Sequence, residues 1–172
     1  QAMLDAVIEY MPSPVEMPPV LGVDDRGKEA TRPATDDAKF SALAFKVIND
    51  AYGALTFVRV YSGVLTKGMS ILNTTRGKRE KIGRMVEMFA EKQNPIEEAR
   101  AGDIIALVSL AETDTGDTLC DTDHQVVLER MRFPDPVISV SVKAKLKAES
   151  EKFGAALGKM VRADPSLRLE TD

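Results

Sequence analysis

The sequence is poor in the residues on which most active-site chemistry depends. It has no tryptophan, one cysteine, one histidine and only 5% aromatic residues. Cys120 has no second thiol for an internal disulfide, and Cys120 with His124 falls short of the Cys/His sets that hold zinc. No apolar run approaches the ~20 residues that cross a bilayer as a helix, and the first residues lack the pattern of a signal peptide. A cytoplasmic chain with no membrane partner is expected. A basic excess is missing too: 23 Lys+Arg oppose 27 Asp+Glu, for a net charge of −4. That balance excludes a general nucleic-acid coat, but not a local basic stripe.

What is present is a globular composition, 44% hydrophobic and 29% charged over 172 residues, enough for one domain or two small ones. Residues 1–11 place Leu4, Val7, Ile8 and Met11 on one helical face, with no capping residue ahead of them and Pro12 and Pro14 behind. Such a face must bury against something, so the chain reads as a piece of a longer protein whose upstream domain covers this helix. Residues 12–39 read as a proline-rich linker followed by a polar, turn-rich stretch.

From Phe40 the pattern turns to strands. FSALAFKVIN sets Ser41, Leu43, Phe45 and Val47 against Ala42, Ala44, Lys46 and Ile48, and LTFVRVYSG follows after a turn. Further strands are predicted near 69–74, 78–89, 103–110, 118–121 and 126–133, with turn residues between them. Many short strands at this spacing predict an antiparallel β-barrel over 40–133. Beyond Pro134 and Pro136 the pattern becomes strand, helix, strand: PVISVSVKA, then a helix with Leu146, Phe153, Leu157, Met160 and Val161 on one stripe, then LRLETD. This β-α-β unit over 134–172 is too small to build a core alone, so this end is also expected to continue.

Candidate chemistry is sparse. Gly63 and Gly68 have the outline of a phosphate loop, but Met69 stands where lysine is required and no helix follows, so two strand-turn glycines are the reading. The acidic pairs Asp24-Asp25, Asp36-Asp37, Glu97-Glu98 and Asp114 with Asp117 lie in polar stretches and read as solvated turn residues, with no catalytic site among them. His124 reads as a surface residue and Cys120 as a small core residue. Arg76, Lys78, Arg79, Lys81 and Arg84 form a basic cluster opposed only by Glu80. It is either a solvated hairpin or a phosphate-contacting stripe. Arg59 interrupts an apolar strand and shares a face with Leu55, Phe57 and Tyr61, as an outer-face residue or a paired one.

Longer motifs carry a resemblance. LDAVIEYMPSP (4–14) is similar to the last helix of the GTPase domain of elongation factor G. FSALAFKVINDAYGALTFVRVYSGVLTKGMSILN (40–73), KIGRMVEM (81–88), AGDIIAL (101–107) and TGDTLCD (115–121) resemble that factor's second domain in order. FPDPVISVSV (133–142) and EKFGAALGKMVRADPS (151–166) resemble the start of its third domain. Phe89-Ala90-Glu91 in place of His-Ala-Asn, Lys143-Ala144-Lys145 without the usual proline, and Leu167 in place of an aromatic are departures expected of a divergent second copy.

The resemblance implies a segment of a ribosomal translocation factor: a barrel that contacts small-subunit ribosomal RNA and a partial ferredoxin-like unit that relays the GTP state. It implies Arg59 as an RNA contact, with Arg76, Lys78, Arg79, Lys81 and Arg84 as further candidates. Pro134, Pro136, Asp164, Pro165 and Ser166 would line the interdomain cleft that fusidic-acid-type inhibitors use in the family. GTP and Mg2+ would belong to the parent protein's GTPase domain, with no cofactor, metal or catalytic residue in this segment. The partners implied are the ribosome, through small-subunit RNA and protein, and the parent's own GTPase and downstream domains. A release-factor or ribosome-protection relative, or a free-standing barrel that binds RNA or protein, are the competing readings.

Overall fold

The computed structural model describes residues 1–50, 53–90, 92–129, 131, 133–144, 146 and 150–170. Helix α1 runs Ala2–Tyr10 and ends as Met11 N donates to Val7 O at 3.0 Å; Leu4, Val7, Ile8 and Met11 are all exposed. A short 3-10 turn at Pro14–Glu16 follows, held by the Glu16 carboxylate on the Ser13 amide at 2.8 Å.

The stretch expected to be a linker then forms a hairpin. Strands β1 (Val20–Val23) and β2 (Glu29–Arg32) pair antiparallel. Asp24 Oδ1 closes the turn by accepting the amides of Arg26 and Lys28 at 2.9 and 2.8 Å. The hairpin's other edge pairs with β13 (Val127–Leu128), while Val20 and Ala30 pack against Leu72, Cys120, Val126 and Leu128. Cys120 is a core residue, as expected, and burial pushes its thiol pKa up.

The main sheet has eight strands. β3 (Ser41–Asp50) and β4 (Gly53–Ser62) lie at its centre. On one side come β12 (Thr118–Cys120), β6 (Ser70–Asn73) and β7 (Lys78–Lys81); on the other β11 (Ile104–Val108), β8 (Met85–Phe89) and β9 (Lys92–Ile96). All pairings are antiparallel. β7 and β8 stand six places apart in the order, which in a flat sheet is about 29 Å at ~4.8 Å per strand. Only residues 82–84 connect them, a reach of about 14 Å at ~3.6 Å per residue. The sheet must therefore roll up, and it does so as an antiparallel barrel. Ile82 extends the β6–β7 ladder by one step, donating to Met69 O and accepting from the Gly68 amide, both at 2.8 Å, and its side chain joins the core. A separate antiparallel pair, β5 (Val64–Thr66) with β10 (Glu98–Arg100), adds Leu65 and Ala99 to the same core. The interior holds Phe40, Ala42, Ala44, Val58, Val60, Leu65, Ile71, Met85, Ile105, Leu107 and Leu119.

Several strand predictions need correction. The single strand expected over 78–89 is two strands, broken after Ile82, where the chain leaves its pairing with the β6 side and Arg84 O takes up the Val108 amide of β11. The strict alternation expected in β3 fails at Phe45: a bulge between Ala44 and Lys46 buries Ala42, Ala44 and Val47 while Lys46 turns out. The strand expected at 126–133 is only β13, with Arg130 and Arg132 outside the described residues. Helix α2 forms at Ser150–Ala163, and the start expected for it near Leu146 falls partly on residues outside the description. The flanking segments 137–144 and 167–170 form no strand, because among the described residues nothing pairs with them. Val137, Ile138 and Val140 are consequently exposed, Val137 by 94%.

Candidate nucleic-acid interface and interdomain joint

β4 alternates as its sequence predicts. Val58, Val60 and Ser62 point into the barrel, while Phe57, Arg59 and Tyr61 lie outward and half-buried. Arg59 is flanked across the sheet by Leu43 on β3 and Ile104 on β11. Its guanidinium stacks over the Tyr61 ring, 5.1 Å from the centroid. Phe45 and Phe57 extend the same surface, with ring centroids 6.3 Å apart. The result is a cation held over an aromatic and aliphatic strip, a surface suited to stacking on bases and contacting phosphate.

The basic cluster divides. Lys78, Arg79 and Lys81 are exposed on β7, an edge strand, and among the described residues they form no ion pair. Arg84 donates to Gln93 Oε1 at 2.9 Å and stays exposed. Arg76 turns the other way. Its Nε meets Asp117 Oδ2 at 3.0 Å and its Nη2 meets Asp114 Oδ2, so its charge is already paired inside the fold. Glu80 does not neutralise its neighbours. Its carboxylate accepts the amides of Ala111 and Glu112 at 2.7 and 3.0 Å and the Thr113 hydroxyl.

Asp117 overturns the expectation that every acidic pair is solvated. It is 5% exposed, because its Oδ2 gathers three donors: Asn73 Nδ2 at 2.8 Å, Arg76 Nε and the Asp114 amide at 2.9 Å. Among the other pairs, Asp36 lies in a turn and Glu98 opens strand β10, both on Arg100, while Glu97 pairs with Lys67. His124 is half exposed, 3.5 Å from the Asp121 carboxylate.

One ion pair links the two stretches that carry the joint candidates. Asp135, between Pro134 and Pro136, pairs with Arg168, just past the turn that ends α2. Within that turn the Asp164 carboxylate accepts the Ser166 hydroxyl at 2.6 Å and the Ser166 amide at 2.9 Å, which holds its pKa below the ordinary aspartate range. Pro165 and Ser166 are half-buried, while Pro134 and Pro136 are exposed. Arg162, which the sequence did not single out, reaches from α2 to the barrel and donates to Asp114 Oδ1 at 2.7 Å. Its only signal is a cation in the last turn of a helix.

A nucleotide cradle does not fit these residues. Gly63 has φ +70°, and a Cβ there would lie 2.6–2.8 Å from Ala38 O and Phe40 backbone atoms, so its backbone is packed against the chain. Gly68 lies in the turn between β5 and β6, with no helix N-terminus to receive phosphate. Among the described residues, no group of His, Cys, Asp and Glu has a metal-holding arrangement, and no helix is long and apolar enough to cross a membrane.

A family model for elongation factor G domain 2 matches residues 39–122, the rolled sheet and its outer strip. A second, for elongation factor G domain III, matches 133–172 and so takes in the joint and α2. The chain belongs to the elongation factor G family. Among solved structures, a crystal structure of a protein from Thermus thermophilus superposes over 98% of this chain with a TM-score of 0.76 at 24% identity. That likeness supports the fold. This chain spans 23% of that structure's length, so it corresponds to one part of a much larger molecule. The family explains why the barrel and the α2 unit follow one another in a single chain.

Proposed function

We propose that this chain is the docking and relay segment of a ribosomal translocation factor, acting in the cytoplasm during translation elongation. Its barrel contacts small-subunit ribosomal RNA through Arg59 and through Lys78, Arg79, Lys81 and Arg84. The unit at 134–172 passes the nucleotide state onward, with Pro134, Pro136, Asp164, Pro165 and Ser166 lining the cleft between the two. The supporting observation is the row of cations on β7, without ion-pair partners among the described residues, in a chain whose net charge is negative. Such a row favours phosphate contact without base reading. Arg76 is the weakest of the candidate contacts, because Asp114 and Asp117 already neutralise it. GTP and Mg2+ are held by the parent protein's GTPase domain, and this segment hydrolyses nothing itself.

The test is equilibrium binding of the chain to purified small ribosomal subunits over a range of salt. Each phosphate contact adds about 0.7–0.9 to the slope of log affinity against log salt. Replacing Lys78, Arg79 and Lys81 together by glutamine is expected to lower the slope by about 2–3 on that scale. Arg59→Ala is expected to weaken binding with a smaller change in slope, since it also removes a stacking surface. Absence of binding, or a slope untouched by the triple variant, would refute the reading. GTP turnover by the pure chain would refute the non-catalytic role.

A further inference from the structure

The segment between β11 and β12 is held from three directions. From β7, Glu80 accepts the amides of Ala111 and Glu112 and the hydroxyl of Thr113. From β6 and the turn after it, Asn73 Nδ2 donates to Glu112 O at 3.0 Å, and Arg76 takes Asp114 and Asp117. From α2, Arg162 donates to Asp114 Oδ1 at 2.7 Å and also to the carbonyls of Ala111 and Thr113, at 3.1 and 3.4 Å. Arg76 and Arg162 grip opposite oxygens of one Asp114 carboxylate.

Two consequences follow from that arrangement. The guanidinium of Arg162 completes its bonding only when 111–114 hold the shape that Glu80 imposes, because it reads two carbonyls and a carboxylate of that segment together. And Glu80 stands on β7 between Arg79 and Lys81, the cations that face solvent. A displacement of β7 therefore moves Glu80, and with it the seat of Arg162.

We infer that the 111–117 segment couples the basic strand β7 to helix α2, with Glu80 and Arg162 as its two positioning residues. Whatever engages the cations of β7 biases how firmly α2 is seated on the barrel, and the seating of α2 biases β7 by the same free energy. The coupling passes through a contiguous hydrogen-bond network.

The experiment measures the distance between spin labels on the 172-residue chain. Ser70→Cys on β6 and Lys159→Cys on α2 are both exposed sites, and the native Cys120 is fully buried and escapes labelling. The unaltered network is expected to give one narrow distance distribution. Arg162→Ala should widen or split it. Glu80→Ala should also widen it, although among the described residues Glu80 has no hydrogen bond or ion pair to α2, and circular dichroism should show the barrel retained. If Glu80→Ala loses the barrel, Thr113→Val, which removes one of the three bonds to Glu80, replaces it and should give a smaller widening. A broad distribution before any substitution, an unchanged one in Arg162→Ala, or widening in Arg162→Ala with neither Glu80→Ala nor Thr113→Val following would each overturn the inference.

Discussion

Replacing Asp117 should expose how much of the barrel's stability rests on one buried carboxylate. Three donors converge on its Oδ2: Asn73 Nδ2, Arg76 Nε and the Asp114 amide. Asp117→Ala removes all three bonds. A hydrogen bond to a charged group contributes about 1.5–3 kcal/mol, and orphaning a buried donor costs about 1–3 kcal/mol. Asn73 is the buried donor here. Arg76 is 42% exposed and keeps Asp114, so its guanidinium re-solvates and adds little. The expected cost is about 3–4 kcal/mol, which for a chain this size lowers the melting temperature by roughly 10 °C.

Asp117→Asn is the informative control, because an amide oxygen can occupy the same point and accept the same donors. Losing only the charge should roughly halve the strength of those bonds and cost about 1–2 kcal/mol. With no tryptophan in the chain, urea unfolding followed by circular dichroism is the suitable assay. If the two variants agree to within about 0.5 kcal/mol, or if Asp117→Ala costs less than about 1 kcal/mol, the convergence on Oδ2 is not stabilising as argued.

Two glycines in the same backbone region should respond differently to alanine. Gly63 and Gly68 have φ +70° and +84°, so each substitution incurs the left-handed penalty of about 1–2 kcal/mol. Only at Gly63 would the new Cβ also strike backbone, so Gly63→Ala should melt clearly below Gly68→Ala; equal melting would contradict the packing at Phe40. The Asp164 carboxyl should titrate below the ordinary aspartate value of 3.8, first because the Ser166 hydroxyl donates to it, then because the Ser166 amide does. With its folded pKa lowered, that turn is stabilised above the ordinary carboxylate range and loses the contribution as pH falls through the folded pKa. Carboxyl NMR shifts should show Ser166→Ala moving Asp164 back toward 3.8, and an unmoved titration would rule out the hydroxyl as the main cause.

The centre of the barrel was legible because β3 and β4 are long enough for alternation to show. That Arg59 shares a face with Phe57 and Tyr61 followed from that alternation, whereas which side that face looks to needed the neighbouring strands. Shorter strands carry too few residues for a period to emerge. β1 follows Pro18 and Pro19 and reads as more linker until its partner β13, far along the chain, is known. β9 contains Pro95, which argues against a strand, yet β9 is an edge and a proline there leaves no partner without its donor. The opposite error occurred at 137–142, where β-branched residues predicted a strand that has no neighbour to pair with among the described residues. Propensity describes what a segment tolerates, whereas a strand needs a partner. The cations at 76–84 were visible as a group, but not their sorting. That depends on Asp114 and Asp117, which are remote in sequence and adjacent only after β6 and β12 pair.

The stretch at 137–142, which has no strand partner among the described residues, also bears on how the chain behaves in concentrated solution. Val-Ile-Ser-Val-Ser-Val is uncharged, free of proline and rich in residues that favour extended pairing, and its apolar side chains face solvent. Segments of this kind stack with their own copies into dry, interdigitated sheets. Pro136 and Lys143 bracket it, one unable to extend a ladder and the other repelling its copies, and so confine the sticky window to the residues between them. Self-association of this chain should therefore start there, at a site remote in sequence from the cations of β7, and a single charge placed at Val140 should suppress it.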